Sequence, residues 1–465
     1  MRGMRAELER LIAEIDRFHE EIRELPVTPR LSSAEIRGRL AERYDFTRPV
    51  QLGELLPDVA DLLRSGIVHV THPRYFGLFN PSVMEAGIAA DGLVAAYNPQ
   101  LAAASHAPAG VELERHVLRF LASRLGFDPD NATASFTSGG AEANHSALVV
   151  ALAARVPGFV EDGVRAAPAP PVLVASSEAH DSFRKAAQVC GLGREAVRVV
   201  PAAEGLTLDP RAARAALRAE RADGRAPFLL VATAGTTAAG AIDPLPALAE
   251  VAREEGVWLH VDAAWGGAVA LSRRLRPHLA GIELADSVTW DAHKWLSVPM
   301  GAGMLFCRHE EAVRRAFSLG ETGYMPGSIA GLPDPYATTM QWSRRLIGLK
   351  VFMTVAALGE AGLEAMVDAM TELGEELRRR LGAAGFRIAN RTPLPLVCFT
   401  HPRLERGDPT AAEVAARVQA GGRAWISSAR IGRGTDVLRA CITSFRTTAA
   451  DLEVLVDEVS RAIVG

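Results

Sequence analysis

Lysine is nearly missing from this chain: of 51 basic residues only Lys185, Lys294 and Lys350 are lysines, so chemistry that needs a reactive amine has three positions to choose from. Cysteine is as scarce. Cys190, Cys307, Cys398 and Cys441 are far apart and form no CxxC pair, which argues against a disulfide framework or a thiolate zinc site and for a reducing compartment. There is no surplus of positive charge: Lys+Arg 51 against Asp+Glu 55 leaves a net charge of −4, too little to neutralise a nucleic-acid backbone. No apolar run reaches membrane length, since Gly92 to Val111 and Ala226 to Ile242 are interrupted by Pro, Asn, Gln, Thr or Gly. The first residues run straight into a charged helical pattern without a secretory signal. A soluble, cytoplasmic protein that uses neither nucleic acid, membrane nor metal is therefore expected. With 465 residues, 48% of them hydrophobic and 23% charged, the chain holds two or three units around a large core and has no internal repeat.

Periodicity predicts a helical N-terminal arm over residues 1–72, beginning with an amphipathic helix from Arg5 to about Leu25 and resuming from Leu52 to Val70. From 73 to 344, short β-branched or aromatic runs alternate with Ala/Leu/Arg helices, as in a mostly parallel sheet with crossover helices. Seven strands are expected, at Ala132–Phe136, Val172–Ser176, Val197–Val200, Phe228–Thr233, Val257–Asp262, Ser287–Trp290 and Gly303–Cys307. Residues 345–465 read as a smaller α/β domain that opens with two helices, 346–358 and 363–381.

Five segments carry chemistry. In Asp291-Ala292-His293-Lys294-Trp295 a lysine follows an apolar strand between an imidazole and an indole, where a partly desolvated amine suits Schiff-base chemistry; an isolated strand-end lysine more often snorkels to solvent. Val257 to Ala264 is an apolar strand with Asp262 at its C-terminal end, the edge where open α/β sheets bind ligands. Such a carboxylate can cap a loop, or it can keep a pyridine nitrogen protonated. Thr137-Ser138-Gly139-Gly140-Ala141 leads from a strand into a helix and offers backbone N–H groups to one phosphate, although it matches neither nucleotide fingerprint. The hydroxyl- and glycine-rich loop around Thr237 and the turn at His180 complete the set.

In this order along one α/β unit, the segments resemble the fold-type-I pyridoxal-phosphate enzymes. Asp291-Ala292-His293-Lys294-Trp295 together with Val261-Asp262-Ala263-Ala264-Trp265 is similar to the group II amino-acid decarboxylases, and the likeness runs from about His72 to Lys350. The resemblance implies pyridoxal 5'-phosphate held by Lys294, with Asp262 on the ring nitrogen and His180 stacked on the ring. It implies Thr237 and Ala264 packed around the cofactor, and Gly139, Gly140, Ala141, His293 and Asp291 at its phosphate. A tyrosine on a mobile loop, Tyr324 before Tyr336, would return a proton to Cα. Phe79, Asn80, Ser82, Ala102 and His106 would line the substrate pocket of a homodimer with shared active sites. The implied reaction is decarboxylation of an L-amino acid, with aromatic substrates first by family prevalence. Acidic or diamino acids, or an aminotransferase or aldehyde-forming deaminase on the same fold, are the alternatives.

Overall fold

The computed structural model describes residues 2–320, 324, 325, 327 and 329–464, with side chains from Arg5 onward. Seven strands form one sheet: β1 (Thr133–Thr137), β2 (Pro171–Ser176), β3 (Val197–Val200), β4 (Ala226–Thr233), β5 (Trp258–Asp262), β6 (Ser287–Asp291) and β7 (Gly303–Cys307). Their order is β1-β7-β6-β5-β4-β2-β3. From β3 to β6 neighbours are parallel, and β7 lies antiparallel between β6 and β1. The link from β6 to β7 holds no helix, so β7 folds straight back beside its predecessor, a return open only to an antiparallel pair. All seven expected strands are present.

The central strands are apolar along their whole length because both faces are covered. Alternate residues of β4 show this: Leu230 and Ala232 pack with Ala213, Leu217, Leu245 and Leu248, whereas Leu229 and Val231 pack with Leu148, Phe183 and Val313. Parallel β4, β5 and β6 end at one edge, and β1, antiparallel to β7, ends there too. That edge gathers the Gly139–Gly140 turn, Asp262 and Asp291.

The second sheet is antiparallel, in the order β10-β11-β9-β8, from β8 (Arg387–Ile388), β9 (Leu396–Thr400), β10 (Ser427–Ile431) and β11 (Thr435–Cys441). The two helices expected after residue 345 are present within Gly348–Ala383, separated by a kink at Gly359 (φ 61°, ψ 178°). The start of this segment is tied to the first unit: Gly348 donates its N–H to Glu114, and Glu114 grips Arg344 through two bonds of 3.0 and 2.6 Å. Lys350 is buried there, donating to the Met300 carbonyl at 2.7 Å.

The N-terminal helices are Arg2–Glu21, Ser33–Arg43 and Leu52–Gly66. The second was not anticipated, although Ser32 and Glu35 form a capping box that marks its start. Arg64 pairs with Glu14 and Glu21 across the arm, while Arg23 pairs with Asp451 of the C-terminal unit at 2.9 Å. Leu8, Leu11, Ile12, Val59 and Leu63 remain exposed. Among the described residues no helix is long and apolar enough to cross a membrane.

Candidate functional site

Lys294 sits just past β6, three residues beyond the last strand residue, Asp291, in a tight turn in which its N–H reaches back to the Asp291 carbonyl. This geometry brings its Nζ to 3.0 Å from Asp291 Oδ2. The carboxylate is almost wholly buried, and its Oδ1 has no hydrogen-bond partner. His293 accepts the Ala302 N–H at Nδ1 (3.0 Å), so the neutral ring carries its proton on Nε2, 3.8 Å from Asp291 Oδ2. Burial pushes the His293 pKa below its ordinary value and keeps the ring neutral.

Above this group lies the start of the helix Gly140–Arg155. A Cβ on Gly140 would stand 2.7 Å from Asp291 Oδ2 and 3.3 Å from the Ala264 methyl, and one on Gly139 would stand 3.4 Å from the His293 ring. The glycines thus let the turn descend onto the Asp291–His293 pair, and Ala141, exposed, follows them at the helix N-terminus. The helix dipole, free N–H groups and an imidazole N–H form a cradle for a single phosphate.

Asp262, at the end of β5, is held at both oxygens. Oδ1 accepts the Ala264 N–H at 3.0 Å and Oδ2 accepts the Asn144 side-chain amide at 2.9 Å. His180 is exposed at the end of its turn, and its Nδ1 accepts the Ser182 N–H at 3.1 Å, which fixes the ring while leaving Nε2 outward. Thr237 is half-buried, and its carbonyl accepts Arg439 Nε at 3.1 Å.

The expected pocket residues divide. Phe79 is brought to the lysine, with its ring centroid 5.5 Å from Lys294 Nζ and 4.8 Å from the Arg439 guanidinium carbon, and it stacks on Trp265 at 4.7 Å. Asn80 reaches the Met300 sulfur at 3.4 Å. Ser82 is a correction: its hydroxyl is buried and spent on the Thr71 carbonyl (2.6 Å) and the Ser444 hydroxyl (2.7 Å), so it joins two units rather than facing a substrate. Ala102 is buried and bonded through its carbonyl to the Tyr336 N–H, and His106 is on the surface. Tyr324 is 74% exposed, and it and Tyr336 both stack on Trp342, with centroids 6.3 and 4.9 Å away. Glu321, Thr322 and Gly323, which precede Tyr324, lie outside the described residues.

Arg439 escaped the sequence reading because it is about 145 residues from Lys294 in a strand of the other sheet, with no local motif around it. Its side chain is buried, Nη1 donates to the Gly77 carbonyl, and Nη2 is buried without a partner. A buried guanidinium N–H calls for an acceptor, which an anion beside it would supply. Asn144 and His260 were missed for a similar reason: an amide inside a helix and a histidine inside a strand carry no signal until the fold aligns them.

The family model for the pyridoxal-dependent decarboxylase conserved domain matches residues 39–401. The chain belongs to the pyridoxal-dependent decarboxylase family. Human cysteine sulfinic acid decarboxylase is 31% identical over 85% of this chain and 83% of its own. Aromatic-L-amino-acid decarboxylase of Bacillus atrophaeus is 30% identical over 81% and 77%. L-2,4-diaminobutyrate decarboxylase of Rhizobium meliloti (strain 1021) is 34% identical over 66% and 61%. The crystal structure of mouse CSAD superposes with a TM-score of 0.92 at 27% identity, covering 99% of this chain and 98% of that one. This decarboxylase is thus a carboxy-lyase of fold type I that uses pyridoxal phosphate and acts on an amino acid. The residues at the sheet edge fit that cofactor. They provide one amine and one phosphate cradle that a Cβ at Gly140 would fill.

Proposed function

We propose that this decarboxylase converts a short acidic L-amino acid, bearing a carboxylate or sulfinate on its side chain, to the amine and CO2. The observation that carries this reading is Arg439, a buried guanidinium with a partnerless Nη2 beside the ring that also borders Lys294. Pyridoxal phosphate, when bound, supplies the electron sink for the pair released as the Cα–carboxylate bond breaks.

The protein's own groups do the rest. Lys294 is the amine that would hold the cofactor by its aldehyde. Gly139, Gly140 and Ala141 present backbone N–H groups to the phosphate, His293 adds its Nε2–H, and Asp291 holds the lysine in place. Asp262 would serve the ring nitrogen, His180 would lie against the ring, and Thr237 and Ala264 would pack around it. An arginine on the carboxylate that leaves would stabilise the ground state, whose charge is lost from that group as the bond breaks. The guanidinium serves better on the acid that stays. The faces and edges of Phe79 are already engaged by Trp265 and two cations, leaving little for an aromatic substrate to stack on, so the aromatic class is placed second.

Tyr324, on the loop that follows residue 320, is the phenol assigned to protonating Cα, with Tyr336 next in order. Exposed Leu8, Leu11, Ile12, Val59 and Leu63 on the N-terminal arm support a homodimer that covers them. In such a dimer the segment of Ala102 and His106 would complete the partner's pocket. The test is mass spectrometry of the cofactor-loaded protein with L-aspartate, L-glutamate, L-cysteine sulfinate, L-dopa, L-tryptophan and L-2,4-diaminobutyrate. A product lighter by CO2 from one of the first three, lost in Arg439→Met, is expected. Turnover of dopa or tryptophan alone would overturn the acidic assignment, and aldehydes in place of amines would overturn the product.

A further inference from the structure

Behind Asp262 a line of buried polar groups crosses β5 and β6 toward the far side of the sheet. Trp258 Nε1 lies 2.9 Å from Ser287 Oγ, which lies 2.8 Å from His260 Nδ1. His260 Nε2 lies 3.1 Å from Asn144 Oδ1, with the Thr289 hydroxyl at 3.3 Å as a second neighbour. Asn144 Nδ2 lies 2.9 Å from both Asp262 Oδ2 and Ser182 Oγ. His260, Ser287 and Thr289 have no exposed surface, and Asn144 has almost none.

The direction of this chain is set from its carboxylate end. The Asp262 carboxylate only accepts, so Asn144 turns its NH2 group to it and its carbonyl to His260 Nε2. The histidine then carries its hydrogen on Nε2 and accepts at Nδ1, where the Ser287 hydroxyl donates while itself accepting the Trp258 indole N–H. Burial drives the His260 pKa down to about 4, so the ring stays neutral and the direction holds at physiological pH. Asp262 thereby receives a donor on each oxygen, from Ala264 and from Asn144. The two donors, one on each oxygen, fix the plane of the carboxylate.

We infer that His260 and Asn144 are positioning residues that act through Asp262, a directed hydrogen-bond chain beginning at Trp258 that holds this carboxylate in place and aimed at the cofactor's ring nitrogen. The inference rests on the assignment of Asp262 to that nitrogen. Chain polarity, rather than charge, does the work: no member but Asp262 is ionised, and the information passed along is which atom holds the hydrogen.

The experiment uses the holoenzyme loaded with pyridoxal phosphate labelled with 15N in the ring, whose 15N chemical shift reports protonation of that nitrogen independently of turnover. Asp262→Asn is the control for the assignment. His260→Leu, which removes both ring nitrogens from the chain, is expected to move the resonance toward the unprotonated position and to weaken cofactor retention at least tenfold. His260→Gln, which restores an N–H donor toward Asn144, is expected to recover most of the native shift. Trp258→Phe removes only the terminal donor and lies outside the site. It is expected to produce a smaller displacement in the same direction, and it serves alone if His260→Leu does not fold. If Asp262→Asn leaves the resonance in place, the assignment of Asp262 fails. If Asp262→Asn moves it while folded His260→Leu, or Trp258→Phe in its place, does not, the assignment stands and the chain is refuted. A His260→Gln protein as displaced as His260→Leu would also refute it, since the donor would then not be what matters.

Discussion

Replacing Gly140 by alanine tests whether the helix turn and the Asp291–Lys294 pair form one cradle. Gly140 is the first residue of its helix and needs no left-handed backbone, so alanine is free of conformational strain and gains up to about 1 kcal/mol of helix propensity. Against that gain, the new methyl would lie 2.7 Å from Asp291 Oδ2 and 3.3 Å from the Ala264 Cβ. The first distance is too short for any carbon–oxygen contact. Asp291 is buried at the end of β6 and cannot swing to solvent, so the turn or the carboxylate must shift by several tenths of an ångström, an overpacking cost of about 1–3 kcal/mol. The two terms leave the unloaded fold within about 2 kcal/mol of the parent. Cofactor binding has no such offset, because the displaced groups are those that would meet the phosphate. A loss of 1–3 kcal/mol there weakens affinity about 5- to 150-fold. Titration of the apoprotein with pyridoxal phosphate, followed by absorbance, reads the affinity, and urea denaturation of the apoprotein reads the fold. Unchanged affinity in a folded Gly140→Ala protein would refute the cradle, and so would a loss of stability large enough to account for the weaker binding.

How much could be read from sequence follows from where each signal is stored. The inner strands of the main sheet were legible because a doubly covered strand is a continuous apolar run, and the edge strands β1 and β3 because each holds β-branched or aromatic residues in a short run. β10 was not: Ser427-Ser428-Ala429-Arg430-Ile431 sits at the sheet edge, half solvated, and lacks the β-branched run that announces a strand. The helix Ser33–Arg43 buries no residue, so its periodicity is faint and only its cap marks it. Lys294, Asp262 and the Gly139–Gly140 turn were legible because chemistry leaves an unusual residue at a strand end, where a structural role would be poorly served. Arg439, Asn144 and His260 look ordinary in their own segments and gain meaning only from a partner 100 or more residues away. Ser82 shows the opposite error, a hydroxyl adjacent to the pocket residues in sequence yet turned by the fold to Thr71 and Ser444.

Three further outcomes are expected. Borohydride treatment of the loaded protein should fix the cofactor to the peptide containing Lys294 and to no peptide in Lys294→Ala, and an adduct on Lys185 or Lys350 would displace the site. Tyr324→Phe should keep the colour of the bound cofactor and lose amine formation, with Tyr336→Phe much less affected; normal amine output from Tyr324→Phe would move the role elsewhere. The third outcome concerns acid. Burial lowers the pKa values of His72 and His260 from 6.5 to about 4, in His72 with help from nearby Arg74. Each is a base whose neutral form the fold prefers, so its contribution is complete above pH 6.5 and is lost as pH falls through the window from 6.5 to 4, about 3 kcal/mol per histidine at about 1.4 kcal/mol per pH unit. Asp243 works in the other direction. Its pKa is raised from 3.8 to about 6 by burial, so the protonated form is the one favoured by the fold, and its contribution of about 3 kcal/mol is present at low pH and lost as pH rises from 3.8 through 6. Acid therefore gains back roughly what one histidine loses. The three groups together leave the protein about 3 kcal/mol less stable at pH 4 than at pH 7. Urea denaturation across that range measures the slope, and His72→Gln, which cannot take up a proton, should make it shallower by up to about 1.4 kcal/mol per unit between pH 6.5 and 4. An identical slope in His72→Gln and the parent would show that the buried imidazole is not among the groups that sense acid.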